Sequence, residues 1–157
     1  LAPLYWPSDD ERATSVPTDP DPSGRVTISN DRANLPKLQQ ALERFGQQHG
    51  IPAKAVNQLQ VVLDELGSNI IKYAWSDGGR HELSVSFGVS DGAITLEIDD
   101  DGAAFNPLDA PAPKPLRPGD RPRPGGVGLH MVRQLVDAMA YARIGATNRI
   151  TITKRVN

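Results

Sequence analysis

The sequence predicts an α+β fold: a two-layer sandwich in which a mixed, mostly antiparallel sheet carries helices on one face. Three observations predict it. Short runs with apolar residues at every second position mark strands. Two long runs with apolar residues at helical spacing mark amphipathic helices. An Asp-Gly pair, Asp91-Gly92, between two of the strands marks a hairpin, and helices grouped apart from such hairpins fit a segregated layer rather than alternating β-α-β units.

The first strand is RVTISN, residues 25–30, with Val26 and Ile28 alternating. Asp31 or Asn34 then caps a helix to about His49, whose apolar stripe is Leu35, Leu38, Leu42 and Phe45. Gly50 ends this helix and Pro52 begins the next, which runs from about Ala53 to Ala74. Leu59, Val62, Leu63, Leu66, Ile70 and Tyr73 fall on its core face. The run DGGR, residues 77–80, breaks it. Strands HELSVSFGV and AITLEIDD follow as the hairpin. Seven prolines in the eighteen residues Pro107 to Pro124 exclude regular structure there. A third helix is expected through GGVGLHMVRQLVDAMAYAR, residues 125–143, burying Leu129, Val132, Leu135, Val136 and Met139. RITITKRV, residues 149–156, is the last strand.

At 157 residues the chain is one domain on length, and its formal net charge of -2 argues against direct nucleic-acid binding. It has no cysteine, which excludes a disulfide framework, a thiolate zinc site and a catalytic thiol, and suits a cytoplasmic location. No apolar run approaches a membrane span, so no membrane partner is expected. Residues 1–24 are rich in Pro, Asp and Ser and read as a flexible tail or linker ahead of a domain at 25–157. Within that tail, Leu4 to Trp6 are either a docking element or a remnant of an upstream segment. The chain begins at Leu1, as one that is processed, trimmed or cut from something longer would.

Three stretches can carry chemistry. Glu65 and Asn69 lie one helical turn apart and share a face. An amide oxygen suits Mg²⁺ when phosphates and waters complete the octahedron, and a carboxylate one turn away can deprotonate a hydroxyl. The bland alternative is a polar stripe, and the same holds for Lys72 further along that face. The second stretch, IDDDGAAFNP, residues 98–107, sets three carboxylates before Gly102 at a strand end. A buried Asp there can accept a hydrogen bond from an exocyclic amine; the alternative is an acidic strand end and a polar turn. The third, PGGVGLHMV, residues 124–132, puts Gly125, Gly126 and Gly128 ahead of a helix, where backbone N–H groups favour an anion. It lacks the Gly-Lys-Ser/Thr ending of a P-loop, and a hinge is the alternative. His130 reads as a helix-surface residue.

In combination, ELGSNIIKYAW, DDGAAFNP, GGVGLHMVRQLVD and the closing NRITITK resemble the histidine-kinase-like (GHKL) ATPase superfamily, and most closely its anti-sigma-factor serine/threonine kinase branch. The resemblance runs from about Arg25 to the end. It implies the histidine-kinase-like ATPase fold, with ATP and Mg²⁺ as cofactors. Glu65 would be the general base and Asn69 the Mg²⁺ ligand. Asp100 would bind the adenine amino group, and Gly102 would make room for the base, with Ala104 and Phe105 beside it. Ala104 stands where many relatives have glycine. Gly126, Val127, Gly128 and Leu129 would bring backbone amides to the phosphates. Residues 108–124 would form the ATP lid, with Arg117, Arg121 or Arg123 reaching the γ-phosphate.

The function so implied is a cytoplasmic kinase that phosphorylates a STAS-domain anti-anti-sigma partner and sequesters a sigma factor or an analogous regulator, with a homodimer as a possible assembly. One alternative is a nucleotide-dependent binding module without phosphoryl transfer. Another is the catalytic ATP-binding domain of a histidine kinase, which would also need a helix pair bearing a phosphorylatable histidine.

Overall fold

The computed structural model describes residues 24–107, 117–119 and 126–156. Five strands form one sheet: β1 (Arg25–Ser29), β2 (Glu82–Ser90), β3 (Ala93–Asp100), β4 (Ala138–Ile144) and β5 (Thr147–Arg155), in the order β1-β2-β3-β5-β4. Every pairing among these strands is antiparallel, so the sheet is not mixed as the sequence suggests. Three α-helices, α1 (Leu35–Gln48), α2 (Ala53–Tyr73) and α3 (Gly126–Leu135), and a short 3-10 turn complete the described elements.

Alternation decides which sheet face is covered. Val26, Val85, Ile98 and Ile150 stand in register across four strands, and so do Phe87, Leu96 and Ile152; all are buried. The helices cover this face. Leu38 and Leu42 of α1, Leu59, Val62, Leu63 and Leu66 of α2, and Leu129 and Val132 of α3 join the same core. Each fully buried Leu or Ile contributes about 1.5–3 kcal/mol relative to exposure. The opposite face is polar. There Arg149 donates to both carboxylate oxygens of Asp99, at 2.9 and 3.0 Å, and Thr27 meets Ser84 at 3.0 Å.

Local chemistry sets the element ends. Asp31 accepts from the backbone N–H of Ala33 and caps a short 3-10 turn, Arg32–Asn34, that leads into α1; Asn34 instead donates its amide to Ser29. Asp91 and Gly92 both take positive φ, 52° and 74°, between paired Ser90 and Ala93, which closes the β2–β3 hairpin as the Asp-Gly signal predicts.

Two further expectations are corrected. The third helix stops at Leu135, and residues 138–144 form strand β4. Met139 therefore faces the core from a strand, opposite Ile152. Tyr73, the last residue of α2, is 56% exposed and not in the core.

Candidate functional site

The period-two pattern that builds the core also places the first functional group. Ile94, Leu96 and Ile98 face the helices, and the next position in phase is Asp100. Its cross-strand partner on β5 is Asn148, likewise in phase with Ile150 and Ile152. Two polar side chains thus stand where the rows of the core end, 5% and 3% exposed. A buried carboxylate needs donors. Asp100 Oδ1 accepts from the N–H of Gly102 at 2.9 Å and from the Asn148 amide at 3.0 Å. Its Oδ2 accepts no hydrogen bond from the described residues. Burial pushes the Asp100 carboxyl above its ordinary value; the Asn148 and Gly102 donors and the Arg143 charge oppose this, while the neighbouring Asp101 adds to it.

Asp100 looks into a cavity of about 210 Å³. Leu66, Ile70, Ala74, Leu129 and Ile150 supply its apolar walls, and Asn69, Asp100 and Asn148 its polar groups. That volume is below the roughly 300–1,000 Å³ of a whole drug-sized ligand site and suits one flat ring system. Ala104 and Phe105 line the mouth, Phe105 being 52% exposed.

Gly102 is required by close approach. A Cβ there would meet the backbone carbonyl of Ala74 at the end of α2. The same junction is held by the Ala103 N–H donating to the Ala74 carbonyl at 2.8 Å and by Trp75 Nε1 donating to Asp101 at 2.9 Å. Trp75 stacks on His81, rings 4.9 Å apart and 2° from parallel, and His81 pairs with Asp77 at 2.8 Å.

The second cluster lies on α2. Glu65 and Asn69 share a face as their spacing predicts, and the Asn69 amide nitrogen sits 3.4 Å from Glu65 Oε1. The Asn69 oxygen makes no hydrogen bond to the described residues. Gly128, in the first turn of α3, packs directly on the Glu65 carboxylate; any Cβ at 128 would overlap it. Leu129 is buried behind that turn, and Gly126 and Val127 are its first two positions. Glu65 and Asn69 are thus brought to the N-terminus of a helix, where backbone N–H groups point outward.

The donor set fits magnesium but not an all-protein metal cage. No cluster of three His, Cys, Asp or Glu suited to a metal occurs among the described residues. Mg²⁺ normally takes only one or two protein oxygens, leaving the rest to phosphates and waters, and the Asn69 amide oxygen is one such donor. Of the expected lid, 108–124, only residues 117–119 are described, with Arg117 exposed; Arg121 and Arg123 lie outside the described residues, as do Gly125, Leu4 and Trp6.

Residues 28–154 match the family described as the histidine kinase-like ATPase domain. The chain belongs to that family. It is 32% identical over 95 residues to the serine/threonine-protein kinase BtrW of Bordetella bronchiseptica, covering 60% of this chain and 67% of that protein. It is 26% identical over 92 residues to the serine-protein kinase RsbW of Oceanobacillus iheyensis, covering 56% of this chain and 58% of that protein. The chain thus spans well under the full length of these relatives. Among solved structures, the RsbU and RsbW domains of a Mycobacterium tuberculosis protein superpose with a TM-score of 0.56 at 13% identity, over 84% of this chain and 32% of that one. The histidine kinase domain of the Erythrobacter litoralis blue-light activated kinase does so with 0.52 at 18%, over 80% and 60%. Both likenesses show the fold.

Several residues of this family member's site are not evident from its motifs. Asn148 donates to Asp100 and, at 2.8 Å, to the Ala103 carbonyl. Tyr141 donates to the Asn148 oxygen at 2.6 Å. Arg143 donates to the Gly102 carbonyl at 2.8 Å. The sequence signal for Asn148 is its phase with Ile150 and Ile152; Tyr141 and Arg143 become visible only once β4 is recognised as a strand. Lys72 is not among the residues that line the cavity; it is exposed, with its ammonium 5.1 Å over the ring of Tyr73, which does line it. Among the described residues no helix is long and apolar enough to cross a membrane.

Proposed function

We propose that this chain is an ATP-dependent serine/threonine protein kinase that phosphorylates a STAS-domain anti-anti-sigma partner in the cytoplasm and sequesters a sigma factor or an analogous regulator. One observation carries the proposal. A base-sized apolar cavity ends in a carboxylate with an uncommitted oxygen, and a Glu/Asn pair stands at a helix N-terminus beside it. Named serine/threonine kinase relatives support the same activity.

In this scheme the cavity walls hold the adenine ring, and Asp100 Oδ2 accepts from its exocyclic amine. Gly102 and Ala103, tied to α2, fix the floor. The phosphates extend toward the first turn of α3, where bare N–H groups offset their charge. Asn69 Oδ1 is the protein ligand for Mg²⁺, which when bound neutralises phosphate charge and orients the γ-phosphoryl group. Glu65 accepts the proton of the partner's serine or threonine hydroxyl. The new O–P bond forms as the bond from the γ-phosphorus to the β–γ bridging oxygen breaks, and ADP leaves. Catalysis of this kind rests on positioning and charge neutralisation more than on covalent chemistry by the protein. A base within reach typically contributes 10²–10⁴-fold, so Glu65→Gln is expected to cut transfer by about that factor.

The test is transfer from labelled ATP to the cognate STAS protein, with Glu65→Gln and Asn69→Ala beside wild type. Label on the partner's hydroxyl residue, lost in both variants, is the expected result. ATP binding without transfer by wild type would leave a nucleotide-dependent binding module. No ATP binding at all would remove both.

A further inference from the structure

Tyr141 is not itself one of the residues that line the cavity, yet its hydroxyl has a defined target. It donates to Asn148 Oδ1 at 2.6 Å, while Asn148 Nδ2 donates to Asp100 Oδ1 at 3.0 Å and to the Ala103 carbonyl at 2.8 Å. The amide has one chemically sensible orientation here. Turned over, it would set its oxygen against the Asp100 carboxylate and a backbone carbonyl, three acceptors facing one another. In the orientation observed, both amide ends are used: the nitrogen by Asp100 and Ala103, the oxygen by Tyr141.

The consequence reaches the ligand-facing oxygen. Gly102 and Asn148 both donate to Oδ1, which fixes the carboxylate plane and leaves Oδ2 of this cavity-lining residue without a donor among the described residues. Two acceptors hold the nitrogen end of Asn148, and a donor to its oxygen anchors the other end. Tyr141 supplies that anchor from β4, the edge strand. Its ring packs against the core beside Ile150, its register partner, so the hydroxyl is placed by packing and not by a mobile tether.

We propose that Tyr141 is a positioning residue for base recognition. Through Asn148 it sets the direction in which Asp100 presents its free oxygen, and so enforces the choice of a purine that carries a 6-amino group. This rests on the adenine-binding role proposed for Asp100. The two stand or fall on different comparisons.

The experiment measures affinity by calorimetry for ATP and for purine riboside triphosphate, which lacks only the 6-amino group. Wild type is expected to prefer ATP. Tyr141→Phe keeps the ring and loses the hydroxyl. It is expected to lower that preference by about fivefold, the scale of one hydrogen bond, by weakening ATP while leaving the amine-free analogue nearly unchanged. Asn148→Ala is expected to lower it as well, and adding Tyr141→Phe to Asn148→Ala is expected to change nothing further, because Tyr141 then has no amide to hold. Equal weakening of both nucleotides by Tyr141→Phe would mark a merely structural role and overturn the proposal. So would additive losses in the double variant, or an unchanged preference. A wild type that does not distinguish the two nucleotides would overturn the adenine role of Asp100 and this inference with it.

Discussion

Asp100 occupies a position that the alternation of β3 would otherwise fill with an apolar side chain, and burial raises its pKa above the ordinary 3.8. The sign of the linkage follows. A carboxyl whose folded value is raised favours the folded state while protonated, below its unfolded value, and loses that contribution as pH rises through the folded value. At neutral pH the charged group therefore weighs against folding. Asp100→Asn keeps an oxygen to accept from Gly102 and Asn148 and removes the charge. Its melting temperature at pH 7 is expected to equal or exceed that of wild type, with the difference closing as pH falls toward the ordinary carboxylate range. ATP affinity should drop about 10- to 100-fold, the worth of a hydrogen bond to a charged acceptor. Melts across pH and calorimetry at pH 7 check both halves; a variant that melts well below wild type at pH 7 would show that the charge is structural. Two glycines separate in the same way. A Cβ at Gly102 meets the backbone of Ala74, which cannot move aside, so Gly102→Ala should cost about 1–3 kcal/mol in denaturant unfolding. A Cβ at Gly128 meets only the far end of the Glu65 side chain, which can swing away. Gly128→Ala should therefore unfold much as wild type does while phosphoryl transfer falls by about 10²-fold or more with Glu65 displaced.

The α3–β4 junction shows where local pattern stops being informative. Leu135 to Arg143 includes alanine, methionine and arginine, residues with good helix propensity, and no proline or glycine interrupts it. The structure ends the helix there for non-local reasons. The N–H of Asp137 donates to the Thr153 carbonyl at 2.9 Å, its carboxylate accepts from the Arg155 N–H at 2.6 Å, and the Lys154 ammonium caps the Leu135 carbonyl at 2.7 Å. All three partners lie on β5, and pairing with β5 outweighs helix propensity. The Lys154 contact places a cation at a helix C-terminus, a favourable pole of the dipole. Lys154→Met keeps most of the stem and is expected to destabilise by about 1 kcal/mol, seen as a lower denaturant midpoint with an unchanged slope; no shift would assign the cap to solvent-exposed decoration. The same distinction explains which parts of the site are legible in sequence. Glu65 and Asn69 are one turn apart on one helix, and Asp100 and Gly102 sit on one strand end, so spacing alone groups them. Asn148, Tyr141 and Arg143 act on partners up to 48 residues away in sequence, through the register of β3, β5 and β4. A one-residue slip would turn each to the polar face, and no local motif encodes that register.

At the scale of the whole molecule, the site draws on elements that are otherwise distant in the chain. Its lining comes from α2, the end of β3 with the turn after it, α3, and β5. A ligand in the cavity therefore bridges the helical layer and the sheet, adding to the Ala74–Ala103 and Trp75–Asp101 ties that already join them. Binding should for that reason stabilise global unfolding and not merely one loop. At a free ATP concentration 100 times the Kd, mass action adds about 2.7 kcal/mol. For a domain of this size that corresponds to a rise of roughly 5–10 °C in melting temperature, at about 2–4 °C per kcal/mol. The variants divide the effect by role. Glu65→Gln retains the cavity and its carboxylate acceptor, so it should keep the ATP-induced rise while losing transfer. Asp100→Asn should lose about half of the rise or more at the same ATP concentration, because its affinity has fallen. Thermal melts with and without ATP, run beside the transfer assay, check the division. An absent rise in wild type at saturating ATP would remove the cavity as a nucleotide site. A Glu65→Gln variant that lost the rise as fully as Asp100→Asn would move Glu65 from proton acceptance to nucleotide binding.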